Sequence, residues 1–241
     1  MSGRRVLVTG GGTGIGRAIA QAFADAGDFV TITGRRMESL RATDAGRGME
    51  CRTADVTDEQ QVAAIFNKPF DVVIANAGGG TAGRLRNVSL QDWERVIAVN
   101  LTGTFLTFRA ALEGMGSGGR LIAIGSTASL KGGATIPAYA AAKHGVLGLV
   151  RSVALEVAKD GITCNAICPG FVDTPLAEQA MASVKDRLGL DDAAAQAMIV
   201  RDNPIGRLIR PDEVVAAALF LAAPSASMIN GHALSLSGGE I

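Results

Sequence analysis

Cysteine is scarce in this chain of 241 residues. Cys51, Cys164 and Cys168 make an odd set with no disulfide framework. Cys164 and Cys168 stand four apart in a predicted strand, on one face, and read as small buried apolar residues rather than as a metal pair. Histidine is scarcer still. His144 and His232 have no cysteine or carboxylate constellation around them, so both read as structural and no metal is expected. The chain has no net charge, with 23 basic residues against 23 acidic ones. The basic residues do not cluster, which leaves nucleic acid and membrane surfaces without electrostatic support as partners. The longest apolar run, residues 214–223, is too short to cross a bilayer and is stopped by Pro224. The first strand candidate opens close to the start, leaving no room for a signal peptide. These absences together point to a reducing, cytoplasmic setting.

What is present is alternation. Residues 4–9 hold a β-branched run suited to a buried parallel strand. Ile15, Ile19, Ala22 and Phe23 then recur at helical spacing up to Gly27, a plausible C-terminal cap. Residues 29–33 form a second strand. Further helices are expected over 37–46, from 57 to 66 behind a capping box at 57–60, over 90–115 behind Ser89, and from Tyr139 to about Lys159. The long 90–115 helix should bury Trp93, Ile97, Leu101 and Phe105, with Asn100 in its middle. Strands are expected at 51–54, 71–75, 120–125, 161–167 and 233–236, and a last helix at 211–223. The pattern predicts an α/β fold: one doubly wound, Rossmann-type parallel sheet of about seven strands with helices on both faces. No linker divides it, so residues 1–241 read as a single domain.

Between the first strand and its helix lies Thr9-Gly-Gly-Gly-Thr-Gly-Ile-Gly16. It gives G-x-x-x-G-x-G through Gly10, Gly14 and Gly16 rather than the common G-x-G-x-x-G. The physics is the same: a tight turn, close backbone approach to a pyrophosphate, and phosphates at a helix N-terminus. Where an acidic ribose reader for NAD would follow the second strand, the chain has Gly34-Arg35-Arg36. The guanidinium of Arg35 suits a 2′-phosphate, so NADP(H) is expected over NAD(H), although Glu38 stands nearby.

Ser126, Tyr139 and Lys143 stand thirteen and then four residues apart. Tyr139 and Lys143 fall in an alanine-rich run that favours helix, where residues four apart project side by side. An ammonium beside a phenol favours the phenolate and makes the tyrosine a usable acid and base. Gly10–Gly16, Arg35, Asp55, Asn76, Ser126 and Pro169 all fall at carboxyl ends of predicted strands, where such sheets bind ligands.

These pieces, together with Asp55-Val56, Asn76-Ala-Gly78, Asn100, Tyr139-Ala-Ala-Ala-Lys143 and Pro169-Gly170, resemble the short-chain dehydrogenase/reductase family over essentially the whole chain. Ala75 departs from it, since the family commonly has another asparagine there. The resemblance implies an oxidoreductase that interconverts a carbonyl and a secondary alcohol with NAD(P). Tyr139 would be the acid and base, Lys143 would lower its pKa and hold the nicotinamide ribose, and Ser126 would bond the substrate oxygen. Asn100 would hold a water linking Lys143 to solvent. Gly10, Thr13, Gly14, Ile15, Gly16, Asp55, Val56, Asn76, Ala77, Gly78, Pro169, Gly170, Val172 and Thr174 would hold the cofactor. It also implies a homotetramer and a substrate lid at about 175–205, where Leu176, Ala180, Met181, Val184 and Leu188 could cover an apolar substrate or pack on the protein itself.

The lid and the stretch from Pro204 resemble 3-oxoacyl-thioester reductases and polyketide ketoreductases. Ser117 and Asp160 stand where reductases of carrier-protein substrates tend to be basic, which favours coenzyme A thioesters or small free ketones. Arg84 and Arg86 read as solvated loop residues or as a phosphate contact. A sugar, a cyclic alcohol or a small secondary alcohol remains the alternative substrate class, and a non-catalytic nucleotide-binding protein the alternative function.

Overall fold

A computed structural model describes residues 3–80 and 82–241. Seven strands pair in parallel in the order β3-β2-β1-β4-β5-β6-β7. They are β1 (Arg5–Thr9), β2 (Phe29–Gly34), β3 (Glu50–Thr53), β4 (Val72–Ala75), β5 (Arg120–Ile124), β6 (Thr163–Pro169) and β7 (Ala233–Leu236). Strand order reverses between β1 and β4, and the ends of those two strands open the crevice expected at a switch point.

Side chains alternate across the sheet. Val6 and Val8 of β1 pack with Ile32, Ile74 and Ile122 against α1 (Gly14–Asp25), α2 (Met37–Asp44) and α9 (Pro211–Ala222). Leu7, Val73 and Leu121 face the other way, toward α3 (Glu59–Ile65), α5 (Gly103–Leu112) and α6 (Pro137–Val157). Cys164 and Cys168 lie buried in that second layer, and Cys51 is partly buried; all three are free thiols. Two further helices, α7 (Pro175–Leu188) and α8 (Asp192–Ile199), come after β6.

Three expectations shift. The cap of α3 is Asp58, whose carboxylate accepts from the Gln61 N–H, while the Thr57 hydroxyl donates to Asp55. The β6 strand starts two residues late and runs through Pro169, because Gly161 turns in the left-handed region (φ 73°) and Pro169 still pairs with Leu236. The single helix expected over 90–115 is α4 (Leu90–Ile97), a π turn at Ala98–Thr102, and α5. A π turn adds a residue to the helical count and rotates every side chain beyond it. Phe105, expected inside, is 40% exposed, and Leu106 and Phe108 are buried in its place.

Candidate active site

The glycine turn closes on itself. Gly10 sits at φ 64°, and a Cβ there would meet Ala77 Cα at 2.9 Å. Gly16 tolerates no side chain either: its Cβ would lie 2.4 Å from both Asn76 Nδ2 and Gly10 O. Asn76 is fixed by donating from Nδ2 to the carbonyls of Thr9 (3.0 Å) and Gly10 (3.1 Å). The Thr9 hydroxyl accepts from the Asn76 and Ala77 N–H groups at 3.0 and 3.1 Å, locking the ends of β1 and β4 together. Thr13, the N-cap of α1, makes no side-chain cap bond. The first-turn N–H groups of α1 have no partner inside the helix.

These pieces border a cleft of about 870 Å³ at the carboxyl ends of the strands. It is lined by Gly10, Thr13, Gly14, Ile15, Arg35, Asp55, Val56, Asn76, Ala77, Gly78, Ser126, Tyr139, Lys143, Pro169, Gly170, Val172 and Thr174, all singled out from the sequence. Gly16 and Asn100 lie behind it. Gly16 is a packing glycine. Asn100 is fully buried within the π turn and clamps Gly79, accepting from its N–H (3.2 Å) and donating to its carbonyl (2.7 Å), with a second donation to Val96 O. The spacing of motifs gives no hint of Thr9 as the clasp, nor of Ser39, Ile136, Phe171 and Arg187, which also line the cleft, as does Arg36 beside Arg35.

Ser126 comes just after β5 and caps a short 3₁₀ turn. Its hydroxyl oxygen accepts from Ala128 N–H at 3.1 Å, which leaves its proton free to donate elsewhere. Lys143 is 5% exposed and donates to Ile124 O at 2.7 Å. Burial holds its ammonium at about 8, below the usual 10.5. Its Nζ lies 5.6 Å from the centre of the Tyr139 ring. The expectation that Lys143 depresses the Tyr139 pKa does not hold as a net direction. Burial raises the phenol, and the hydrogen-bonding Ser126 hydroxyl only partly offsets that rise. The net effect is that the Tyr139 phenol holds its proton more firmly than a free tyrosine does. Asn100 Oδ1 and Lys143 Nζ both approach Gly78, at 2.6 and 3.5 Å from where its Cβ would be.

The lid face differs from the predicted apolar stripe. Leu176, Ala180 and Val184 border the cleft, but Met181 and Leu188 do not, and Gln179, Ser183 and Arg187 line it beside them. Arg84 caps the 3₁₀ turn at Leu85–Asn87 and Arg86 lies within it, both outside the cleft lining.

Residues 10–240 match the family described as enoyl-(acyl carrier protein) reductase. A D-β-hydroxybutyrate dehydrogenase of Cupriavidus necator is 33% identical, with 100% of this chain and 99% of that protein covered. A (3R)-3-hydroxyacyl-CoA dehydrogenase of Mus musculus is 36% identical over 97% of this chain and 94% of its own length. The chain belongs to the short-chain dehydrogenase/reductase family. The crystal structure of a point variant of actinorhodin polyketide ketoreductase with NADPH superposes with a TM-score of 0.92 at 33% identity, over 99% of this chain and 97% of that one.

As a short-chain dehydrogenase/reductase it is an oxidoreductase of CH–OH groups that uses a nicotinamide cofactor. The cleft fits such a group. The turn at Gly10 admits close backbone approach, α1 offers free N–H groups at its positive end, and Arg35 and Arg36 stand exposed at the end of β2. No helix among the described residues is long and apolar enough to cross a membrane.

Proposed function

We propose that this short-chain dehydrogenase/reductase interconverts 3-oxoacyl and 3-hydroxyacyl groups, on a coenzyme A thioester or a small free acid, with NADP(H). The observation that carries the reading is that Ser126, Tyr139 and Lys143 share one cleft with the glycine turn and Arg35. The bound nicotinamide supplies or takes the hydride. Tyr139 gives its phenolic proton to the carbonyl oxygen in reduction and takes it back in oxidation. Ser126 donates to the same oxygen and stabilises charge as it develops there. Lys143, anchored on Ile124 O, keeps a positive charge beneath the phenol and faces the cofactor's ribose. Asn100 positions Gly79 and, lying close to Lys143, keeps its path to solvent through a held water. Asp55 and Val56 take the adenine side, Asn76, Ala77 and Gly78 back the cofactor, and Pro169, Gly170, Val172 and Thr174 flank the nicotinamide. Arg35 holds the 2′-phosphate as a planar fork of donors.

Residues 1–241 work as one domain with a lid at about 175–205, formed by α7 and α8. The three free cysteines suit a cytoplasmic, reducing setting. Exposed apolar side chains on both helix layers suit a homotetramer.

The test is the initial rate with acetoacetyl-CoA and NADPH or NADH, beside simple ketones, cyclic ketones and sugars. Fast turnover of acetoacetyl-CoA with NADPH is expected. Turnover confined to a free ketone or sugar would discard the thioester reading. Tyr139→Phe should lose turnover by at least ~100-fold, the scale of a general acid, with NADPH affinity nearly intact; comparable turnover would remove Tyr139 from its role. Arg35→Asp should weaken NADPH binding more than NADH binding, and an unchanged affinity ratio would release Arg35 from the phosphate.

A further inference from the structure

The lid helix α7 shows the cleft two ridges. Leu176, Ala180 and Val184 are spaced by four, and so are Gln179, Ser183 and Arg187; all six line the cleft. Residues four apart stack on one helix face about 6 Å from each other. One ridge is thus apolar, and its neighbour is polar and ends in a guanidinium.

Lys185, two residues before Arg187, is paired with Asp192 across the turn into α8. No ion pair or side-chain hydrogen bond among the described residues includes Arg187. The charged side chains lining the cleft are Arg35, Arg36, Asp55, Lys143 and Arg187, four cations to one anion. Arg35 and Arg36 belong to the end of β2, and Lys143 is committed to Ile124 O. Among the described residues, Arg187 is the cation without a partner that the lid itself brings to the cleft.

We propose that Arg187 is a specificity-determining residue that binds an anionic group of the substrate, while the Leu176–Ala180–Val184 ridge covers its carbon chain. Gln179 and Ser183 supply hydrogen bonds along the way. The inference rests on the reading of this cleft as a carbonyl/alcohol site and deepens it. The anion presents two oxygens that accept side by side from the guanidinium fork. It comes from the carboxylate of a free 3-oxoacid or from a phosphate of coenzyme A. The last turn of a helix also suits a cation on dipole grounds, but that contribution would change stability without telling charged from neutral substrates.

The experiment compares wild type with Arg187→Ala and Arg187→Lys on matched carbonyls: acetoacetate against ethyl acetoacetate, acetoacetyl-CoA against the uncharged acetoacetyl N-acetylcysteamine thioester, and 4-oxocyclohexanecarboxylate against its methyl ester. Arg187→Ala should raise KM at least tenfold for the anionic member, with kcat changed less, and leave kcat/KM for the neutral member within twofold. Arg187→Lys should recover part of the loss. A loss on acetoacetate assigns the carboxylate, and a loss on acetoacetyl-CoA alone assigns the phosphate. Equal losses on anionic and neutral members overturn the inference. So does a weakened NADPH Kd, read by fluorescence titration, which would give Arg187 to the cofactor. The cyclic pair separates the two ideas: if only it is turned over, the thioester reading falls while the anion preference is still measured. A wild type that favours no anionic member in any pair overturns the inference.

Discussion

Lys143 is held charged in a place that resists charge. A lysine at about 8 rather than 10.5 means that its buried ammonium costs the fold on the order of 3 kcal/mol below pH 8, at about 1.4 kcal/mol per pH unit of mismatch. The sign comes from proton counts. Below about pH 8 folded and unfolded chains both carry the proton and the cost is constant. Between about 8 and 10.5 the unfolded chain keeps a proton that the folded one has released, so stability rises with pH. Cys164, pushed up to about 12 by burial, acts oppositely above its ordinary thiol range, but it is common to both proteins in a Lys143→Met comparison. Urea melts of wild type and Lys143→Met at pH 7, 8, 9 and 10 should show wild type gaining relative to the mutant from about pH 8 upward. A difference that is flat with pH would mean that Lys143 titrates normally. That Ser126, Tyr139 and Lys143 line one cleft is legible from the sequence because the proposed chemistry forces their spacing: a helix must set Tyr139 and Lys143 four apart, and Ser126 must follow a strand. Arg187 is not legible, because an amphipathic stripe selects apolar residues and passes over the polar ridge beside them. The direction of the Tyr139 shift is not legible either, since desolvation depends on what the fold lays around the ring.

At the scale of elements, the alternation of strands and helices is read correctly from local pattern, whereas the interruption at Ala98–Thr102 is not. A π turn leaves no mark in hydrophobic period except the misplacement of Phe105. Asn100 sits in that turn, and its amide donates both to Val96 O within the helix and to Gly79 O outside it. Right after the turn, α5 begins with Gly103, packed on the segment that comes after β3. A Cβ there would stand 2.8 Å from Val56 Cγ2 and 3.3 Å from Val56 O, and Val56 lines the cleft. Gly103→Ala therefore overpacks a site that cannot yield without moving the cleft wall. Overpacking of this kind costs about 1–3 kcal/mol. The expected result is a lower Tm together with a raised KM for the nicotinamide cofactor, and a smaller change in kcat. A mutant with wild-type Tm and cofactor KM would show that Val56 has room to retreat.

At the scale of the whole molecule, the two helix layers leave large apolar side chains exposed, and the proposed tetramer would cover them. Leu155 on α6 is 84% exposed and Phe105 on α5 is 40% exposed, both in the layer that covers one face of the sheet. On the other layer Phe220 of α9 is 49% exposed, and Met228, just beyond the 3₁₀ turn after α9, is 93% exposed. One such surface would make a dimer; two separate self-complementary surfaces close a tetramer with two-fold axes. Light scattering is expected to give about four times the 24.6 kDa chain mass. Leu155→Asp and Met228→Asp each place a charge on one surface without entering the core. Each should split the tetramer into dimers and make Tm depend on protein concentration, and the double mutant should be monomeric. A monomeric wild type would refute the assembly. A single mutant that stays tetrameric would take its residue off the interface while leaving the other surface to be judged by its own variant.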